Sequence, residues 1–97
     1  MKPEDIRAAI ARGESLINRE GGNSMLPLIK SKQPCLLSPI DRELKPGDIV
    51  YCKVKGRHFT HKVVAVDNGR YLIGNNHGKI NGWTRDVIAL ATPLKEI

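Results

Sequence analysis

The chain has few aromatic residues, two cysteines and no long hydrophobic segment. Aromatic side chains make up 4% of its 97 residues, so isoleucine, leucine and valine must supply most of the core. Cys35 and Cys52 are too few for a disulfide-rich secreted domain and do not form a Cys-x-x-Cys motif. No apolar run approaches the roughly 20 residues of a membrane span, and the N-terminus lacks a signal-peptide core. The sequence therefore predicts a cytoplasmic protein with buried free thiols.

Basic residues outnumber acidic residues, but they are dispersed along the chain. There are 16 lysines and arginines against 10 aspartates and glutamates, which gives a net charge of +6. Such an excess favours acidic partners, and nucleic acid is one of them. We expect the charge to serve solubility first, because it forms no runs and no aromatic stacking motif accompanies it. The residues to consider for a nucleic-acid interface are Lys53, Lys55, Arg57, Arg70 and Lys79.

Short apolar runs separated by turn residues predict a single, mainly β domain over residues 1–97. Residues 1–13 contain one short N-terminal helix that Gly13 ends. Asn68-Gly69 is a strong hairpin signal, and residues 75–82 have the composition of a polar, glycine-rich loop. The expected architecture is a coiled antiparallel sheet or a small, partly open β-barrel. The strand patterns cover residues 15–18, 35–37, 49–55, 57–67, 70–74 and 86–92.

Residues 22–28, Gly-Asn-Ser-Met-Leu-Pro-Leu, form the most distinctive segment of the chain. Gly22 and Asn23 tolerate backbone angles that other residues avoid, and Pro27 discourages helix in the residue before it. Ser24 is therefore presented on a sharply turned, stiffened backbone that suits a nucleophile. An ordinary polar turn, in which Ser24 bonds to its own backbone, explains the same residues.

A serine nucleophile needs a base within hydrogen-bond reach. His61 lies inside a predicted strand, where alternation places His61 and Lys62 on opposite faces. Only one of these two residues can therefore face Ser24. Taken alone, a histidine in a strand is more simply explained as a structural residue.

Four segments resemble, in the same order, those of the LexA-like and signal-peptidase-like serine peptidases. Residues 22–28 resemble the nucleophile segment, and Gly-Asp-Ile-Val at residues 47–50 resembles the turn and strand that follow it. His-Lys-Val-Val at residues 61–64 resembles the segment that carries the base, and Ile-Gly-Asn-Asn at residues 73–76 resembles a late Gly-Asp-Asn-Asn segment. The resemblance covers residues 20–92 and implies the LexA/signal-peptidase fold for this core.

This resemblance implies Ser24 as the nucleophile and His61 as the base, with Lys62 as the alternative base. The chain shows no membrane anchor, no DNA-binding domain and no Ala-Gly cleavage site before the serine. It therefore looks like a peptidase domain standing alone, of the kind that small phage or prophage genes encode.

The resemblance is incomplete where the family places acidic residues. Asn75 stands where the family commonly has aspartate, and no acid follows it in the next six residues. Asn75, Asn76 and Asn81 are therefore the candidates to orient the imidazole, although an amide supplies no charge to stabilise an imidazolium. Gly22 offers no hydroxyl to an oxyanion hole, which leaves the backbone N–H of Ser24 as its donor.

Three functions remain open on the sequence. The first is a serine peptidase, the second an inert version of the same fold that serves as a protein-binding or regulatory module, and the third a small basic β-barrel that binds nucleic acid. A peptide or protein, bound in extended form beside the serine, is the expected substrate or partner. No cofactor or metal is expected, because Cys52, His58, His61 and His77 lack the spacing of a known zinc motif.

Overall fold

The computed structural model describes residues 1–95 and has a mainly β fold with one short helix. Seven antiparallel strands form one sheet, which does not close, in the order β1-β2-β7-β3-β4-β5-β6. The predicted β class and N-terminal helix are confirmed. None of the helical structure within residues 1–95 has the length and apolar character needed to cross a membrane. The elements are α1 (Pro3–Ala11), β1 (Leu16–Arg19), β2 (Pro34–Ser38), β3 (Ile49–Val54), β4 (Arg57–Asp67), β5 (Arg70–Gly74), β6 (Ile80–Thr84) and β7 (Val87–Pro93).

The main hydrophobic core lies on one face of the central strands. Val50 of β3, Val63 of β4 and Ile73 of β5 are almost completely buried and belong to one cluster. A second cluster forms where Ile6 of α1 packs with Leu37 of β2 and neighbouring residues. Burial of aliphatic side chains provides most of the free energy that holds such a small sheet together.

Two tight hairpins set the register of the central strands. Asn68 and Gly69 have φ values of 49° and 75°, and Lys55 and Gly56 have φ values of 50° and 82°. Positive φ at both central residues is typical of the type I′ turn, whose twist matches that of the flanking strands. The predicted Asn-Gly hairpin is confirmed. Lys55, which the pattern included in a strand, lies in the turn after β3.

The prediction of a loop over residues 75–82 is wrong at its end, because Ile80 already belongs to β6. Gly74 pairs with Ile80 and Ile73 pairs with Gly82, so Asn81 is an extra residue of β6 with no partner on β5. Such a β-bulge disturbs the alternation of side chains and redirects the side chain of the extra residue. Asn81 and Gly82 resemble loop residues, but pairing with β5 places them in an edge strand.

Gly74 occupies a position where a side chain does not fit. A Cβ atom there would lie 2.9 Å from the carbonyl oxygen of Lys79 and 3.0 Å from Cγ2 of Val64. We therefore expect Gly74→Ala to displace the backbone before β6 and to lower the free energy of unfolding by about 1–3 kcal/mol. Urea denaturation measures this loss. Gly21→Ala is the matched control, because its nearest neighbour would be a lysine side-chain atom at 3.5 Å; equal stability of the two variants would contradict the prediction.

Candidate active site

The segment that carries Ser24 is anchored by its own hydrophobic cluster. Met25 and Ile29 point inward and pack with Cys35 of β2, and all three are at least nine-tenths buried. The peptide bond between Leu26 and Pro27 is cis. Ser24 itself is only partly buried, so the anchored segment holds its hydroxyl at the surface of the sheet.

Ser24, His61 and Asn81 form a hydrogen-bonded chain. The hydroxyl of Ser24 lies 3.1 Å from Nε2 of His61, and Nδ1 of His61 lies 2.7 Å from Oδ1 of Asn81. A carbonyl oxygen can only accept a hydrogen bond, so Nδ1 carries the imidazole proton and donates it to Asn81. The lone pair of Nε2 therefore faces Ser24, whose hydroxyl donates to it. This is the tautomer that a general base needs.

The His61 ring is held in a largely buried position. It is 8% exposed and stacks on Phe59, with ring centroids 4.2 Å apart. Burial lowers the pKa of His61, because the charged ring would lose its hydration. The bond to Asn81 and the nearby carboxylate of Glu20 raise this pKa by smaller amounts. The net direction favours a neutral imidazole, the form that can take a proton from a serine.

Asn81 reaches His61 because of the bulge in β6. As the extra residue of that strand, Asn81 is free of the side-chain alternation that its neighbours follow. Of the three asparagines proposed from the sequence, Asn81 is thus the one whose side chain contacts the imidazole.

The other two asparagines hold the loops around the site. The backbone N–H and the side-chain amide of Asn76 donate to the carbonyl oxygens of Ser24 and Leu26, both at 2.8 Å. Asn75 accepts hydrogen bonds through its side chain from the N–H groups of two residues in its own loop. These residues fix the backbone of the serine segment and of the loop opposite it.

Lys62, the alternative base, lies away from the serine hydroxyl. Its Nζ donates to Oδ1 of Asn76 at 3.1 Å, so its ammonium group supports the residue that ties down the serine segment. The opposite orientation of His61 and Lys62 follows from strand alternation. The structure therefore brings Ser24 to His61 rather than to Lys62.

Glu20 is a functional candidate that the sequence did not reveal. Its carboxylate accepts hydrogen bonds from both the backbone N–H and the hydroxyl of Thr60, the residue before His61. Glu20 also lines the cleft that contains Ser24 and His61. No spacing or motif marks this residue, because its partner lies 40 positions away in another strand. It joins the end of β1 to the strand that carries His61.

A cleft of about 450 Å³ opens over the serine and the histidine. Besides these residues it is lined by Glu20, Arg57, Lys79 and Asn81, among others. A much smaller cavity of about 30 Å³ adjoins Ser24 and is lined in part by Met25, Ile29 and Cys35. The Ser24 hydroxyl thus lies between an open polar cleft and a small cavity with mixed polar and apolar walls.

A second depression of about 250 Å³ continues from the cleft, and we call it the basic groove. It shares Arg57, Phe59, Lys79 and Asn81 with the cleft and extends to Lys55. Three of the five cations considered for a nucleic-acid interface therefore meet beside the site. Arg70 lies elsewhere, stacked on Trp83 with its guanidinium carbon 4.8 Å from the ring centroid.

The remaining histidines lie near the site but bind other groups. Nε2 of His77 donates to the carbonyl oxygen of Asn23 at 3.0 Å, and Nε2 of His58 lies 3.4 Å from the guanidinium of Arg7. The thiol of Cys52 is buried against the carbonyl of Phe59. Within residues 1–95, no three histidine, cysteine or acidic side chains come together as metal ligands.

No protein-family model, curated protein or solved structure matches this chain. The geometry of the site and the residues that form it are therefore the basis for assigning a function.

The lowered pKa of His61 has two measurable consequences. NMR titration of its ring Cε1–H is expected to give a pKa below the ordinary value of about 6.5. The folded protein then binds this proton less readily than the unfolded chain. The free energy of unfolding should therefore fall as the pH drops below about 6.5. A His61→Gln variant should lose part of this pH dependence in urea denaturation, and an unshifted or raised pKa would contradict the assignment.

Proposed function

We propose that this protein is a serine peptidase of the LexA and signal-peptidase type. Ser24 is the nucleophile, His61 is the general base and Asn81 orients the imidazole. The observation that carries the proposal is the hydrogen-bonded chain from Ser24 through His61 to Asn81, in the tautomer that catalysis requires. The four sequence segments and the open, seven-stranded antiparallel sheet support the same assignment.

The reaction begins with attack of Ser24 Oγ on the carbonyl carbon of a peptide bond. Nε2 of His61 takes the hydroxyl proton as the new C–O bond forms, and the carbonyl oxygen becomes an oxyanion. Within residues 1–95, no protein group accepts a hydrogen bond from the N–H of Ser24, so this N–H is available to the oxyanion. Collapse of the intermediate breaks the C–N bond, and His61 passes its proton to the leaving amine.

A water molecule completes the cycle. It attacks the acyl-serine ester while His61 takes its proton, and the proton returns to Ser24 Oγ when the C–O bond breaks. The imidazolium forms twice in this cycle without a carboxylate beside it, and Asn81 contributes only a dipole. We therefore expect slow turnover compared with peptidases that hold their histidine with an acid.

The small cavity beside Ser24 indicates a small side chain next to the scissile bond. Its volume of about 30 Å³ exceeds the ~10–15 Å³ that one water molecule needs and suits a methyl group rather than a large side chain. The buried free thiols of Cys35 and Cys52 support a reducing, cytoplasmic compartment for the reaction.

The direct test is covalent labelling of the serine. A fluorophosphonate should modify Ser24 of the native protein, detected by intact mass and by peptide mapping. Ser24→Ala should abolish labelling, and His61→Ala should lower the labelling rate and peptide hydrolysis by on the order of 10²–10⁴-fold. Ser15→Ala, which replaces an exposed serine outside the site, is the matched control and should label normally.

The labelling experiment separates the proposal from an inert binding module of the same fold. Labelling that survives Ser24→Ala, or native protein that stays unlabelled under conditions where its fold is intact, would overturn the peptidase assignment. Circular dichroism of each variant distinguishes loss of the nucleophile from loss of structure.

Replacement of Asn81 tests its role as the positioning residue. Asn81→Ala should slow labelling by roughly tenfold to a hundredfold, less than the full loss of general-base catalysis. Asn81→Asp should raise the pKa of His61 by about one to three units, because a carboxylate stabilises the imidazolium. The acidic limb of the pH–rate profile should move upward by the same amount. An unchanged profile in Asn81→Asp would show that residue 81 does not act through His61.

A further inference from the structure

The basic groove brings together three cations that have no acidic partner. No carboxylate within residues 1–95 lies at salt-bridge distance from Lys55, Arg57 or Lys79. Arg7, Arg12, Arg42, Lys45 and Arg70, by comparison, lie in ion pairs with an aspartate or glutamate. Three cations without a carboxylate partner thus meet where the groove adjoins the cleft of Ser24 and His61.

We propose that the basic groove binds an acidic segment of the peptide substrate, next to the bond that Ser24 attacks. This inference rests on the proposed peptidase function and names its substrate class: peptides with one or more aspartate or glutamate residues on one side of the scissile bond. Like charges in a groove that is otherwise without counter-ions favour an anionic ligand.

The cleft has opposite charges on its two sides, which gives the substrate a direction. Glu20 lies on the side shared with the small cavity under Ser24, and Arg57 and Lys79 lie on the side shared with the basic groove. The small cavity and the groove have no residue in common. A peptide that places a small residue in the cavity therefore places its neighbours beside the cations on the other side of the serine.

The three cations are placed by the same elements that place the catalytic groups. Arg57 begins β4, the strand that carries His61, and Lys79 precedes β6, the strand that carries Asn81. Lys55 extends over Gly82, where a Cβ atom would lie 3.2 Å from Cε and 3.7 Å from Nζ of the lysine. Arg57 and Lys79 also act on the imidazole, since both contribute to lowering the pKa of His61.

A peptide fits these observations better than nucleic acid does. The groove is short, and the chain's only tryptophan is already stacked with Arg70 outside it. A groove of about 250 Å³ has room for one or two side chains, whereas single-stranded nucleic acid uses an extended basic surface with stacking platforms.

The test measures binding without catalysis, so that it is independent of turnover. The probes are three fluorescein-labelled peptides in which alanine at the cleavage position is flanked on each side by two glutamates, two glutamines or two lysines. Their binding to the Ser24→Ala protein is measured by fluorescence anisotropy. We expect the glutamate peptide to bind about threefold to tenfold more tightly than the glutamine peptide. This preference should disappear near 1 M salt, where the screening length is about 3 Å.

Charge-removing variants locate the binding site. Arg57→Gln with Lys79→Gln should remove the preference for glutamate, and Lys2→Gln with Arg12→Gln, which removes two charges from outside the groove, should preserve it. Equal binding of the three peptides, or an effect of the control pair as large as that of the groove pair, would overturn the proposal. Tighter binding of a single-stranded oligonucleotide, lost in the same groove variant, would assign the groove to nucleic acid instead.

The outcome of the binding experiment is independent of the outcome of the Ser24 labelling experiment. If the groove prefers acidic peptides but Ser24 cannot be acylated, acidic peptides would be the ligands of an inert binding module. A serine that is acylated in a protein without this preference would leave the peptidase function intact and overturn the groove proposal.

Discussion

The site depends on one hydrogen bond, from Nδ1 of His61 to Oδ1 of Asn81. The neutral imidazole of histidine can carry its proton on either of two nitrogens, and only the tautomer protonated at Nδ1 leaves Nε2 able to receive the proton of Ser24. The carbonyl oxygen of Asn81 selects this tautomer and fixes the plane of the ring, while stacking on Phe59 limits its other movements. Without this bond, the contact between Ser24 and His61 would be one of several the ring could make.

The backbone around this hydrogen bond departs from regular strand pairing and packs closely against neighbouring atoms. The bulge releases Asn81 from the side-chain alternation of β6, and its amide oxygen reaches the His61 ring. At Gly74 the backbone packs so closely against the carbonyl of Lys79 and the side chain of Val64 that a Cβ atom would not fit. On the other side, Asn76 ties the carbonyls of Ser24 and Leu26 to the loop after β5. Ser24, His61 and Asn81 thus come from three separate parts of the chain and are joined by hydrogen bonds.

Local sequence signals predict much of this arrangement. The features that they do not predict depend on pairing between distant parts of the chain. Strand alternation was enough to separate His61 from Lys62, and the Asn68-Gly69 pair was enough to place a hairpin. The composition of β6 indicated a loop because asparagine and glycine, present at positions 81 and 82, are rare inside strands, and only pairing with β5 makes this segment an edge strand. For the same reason the sequence named three asparagines without selecting Asn81. Glu20 gave no signal, since its contact with Thr60 spans 40 residues and depends on the path of the whole sheet.

The neutral amide at position 81 and the unpaired cations beside it together determine the charge around His61. A carboxylate at this position would stabilise the imidazolium, but it would also stand beside Arg57 and Lys79 and neutralise part of their field. With asparagine there, the histidine is kept neutral by burial and by these same cations, and the cations remain available to an anionic ligand. An acidic substrate would bring negative charge next to His61 and so raise the pKa of the ring when it binds. A bound acidic substrate would thus supply the negative charge that Asn81 lacks. The basicity of His61 would then depend on whether the groove is occupied.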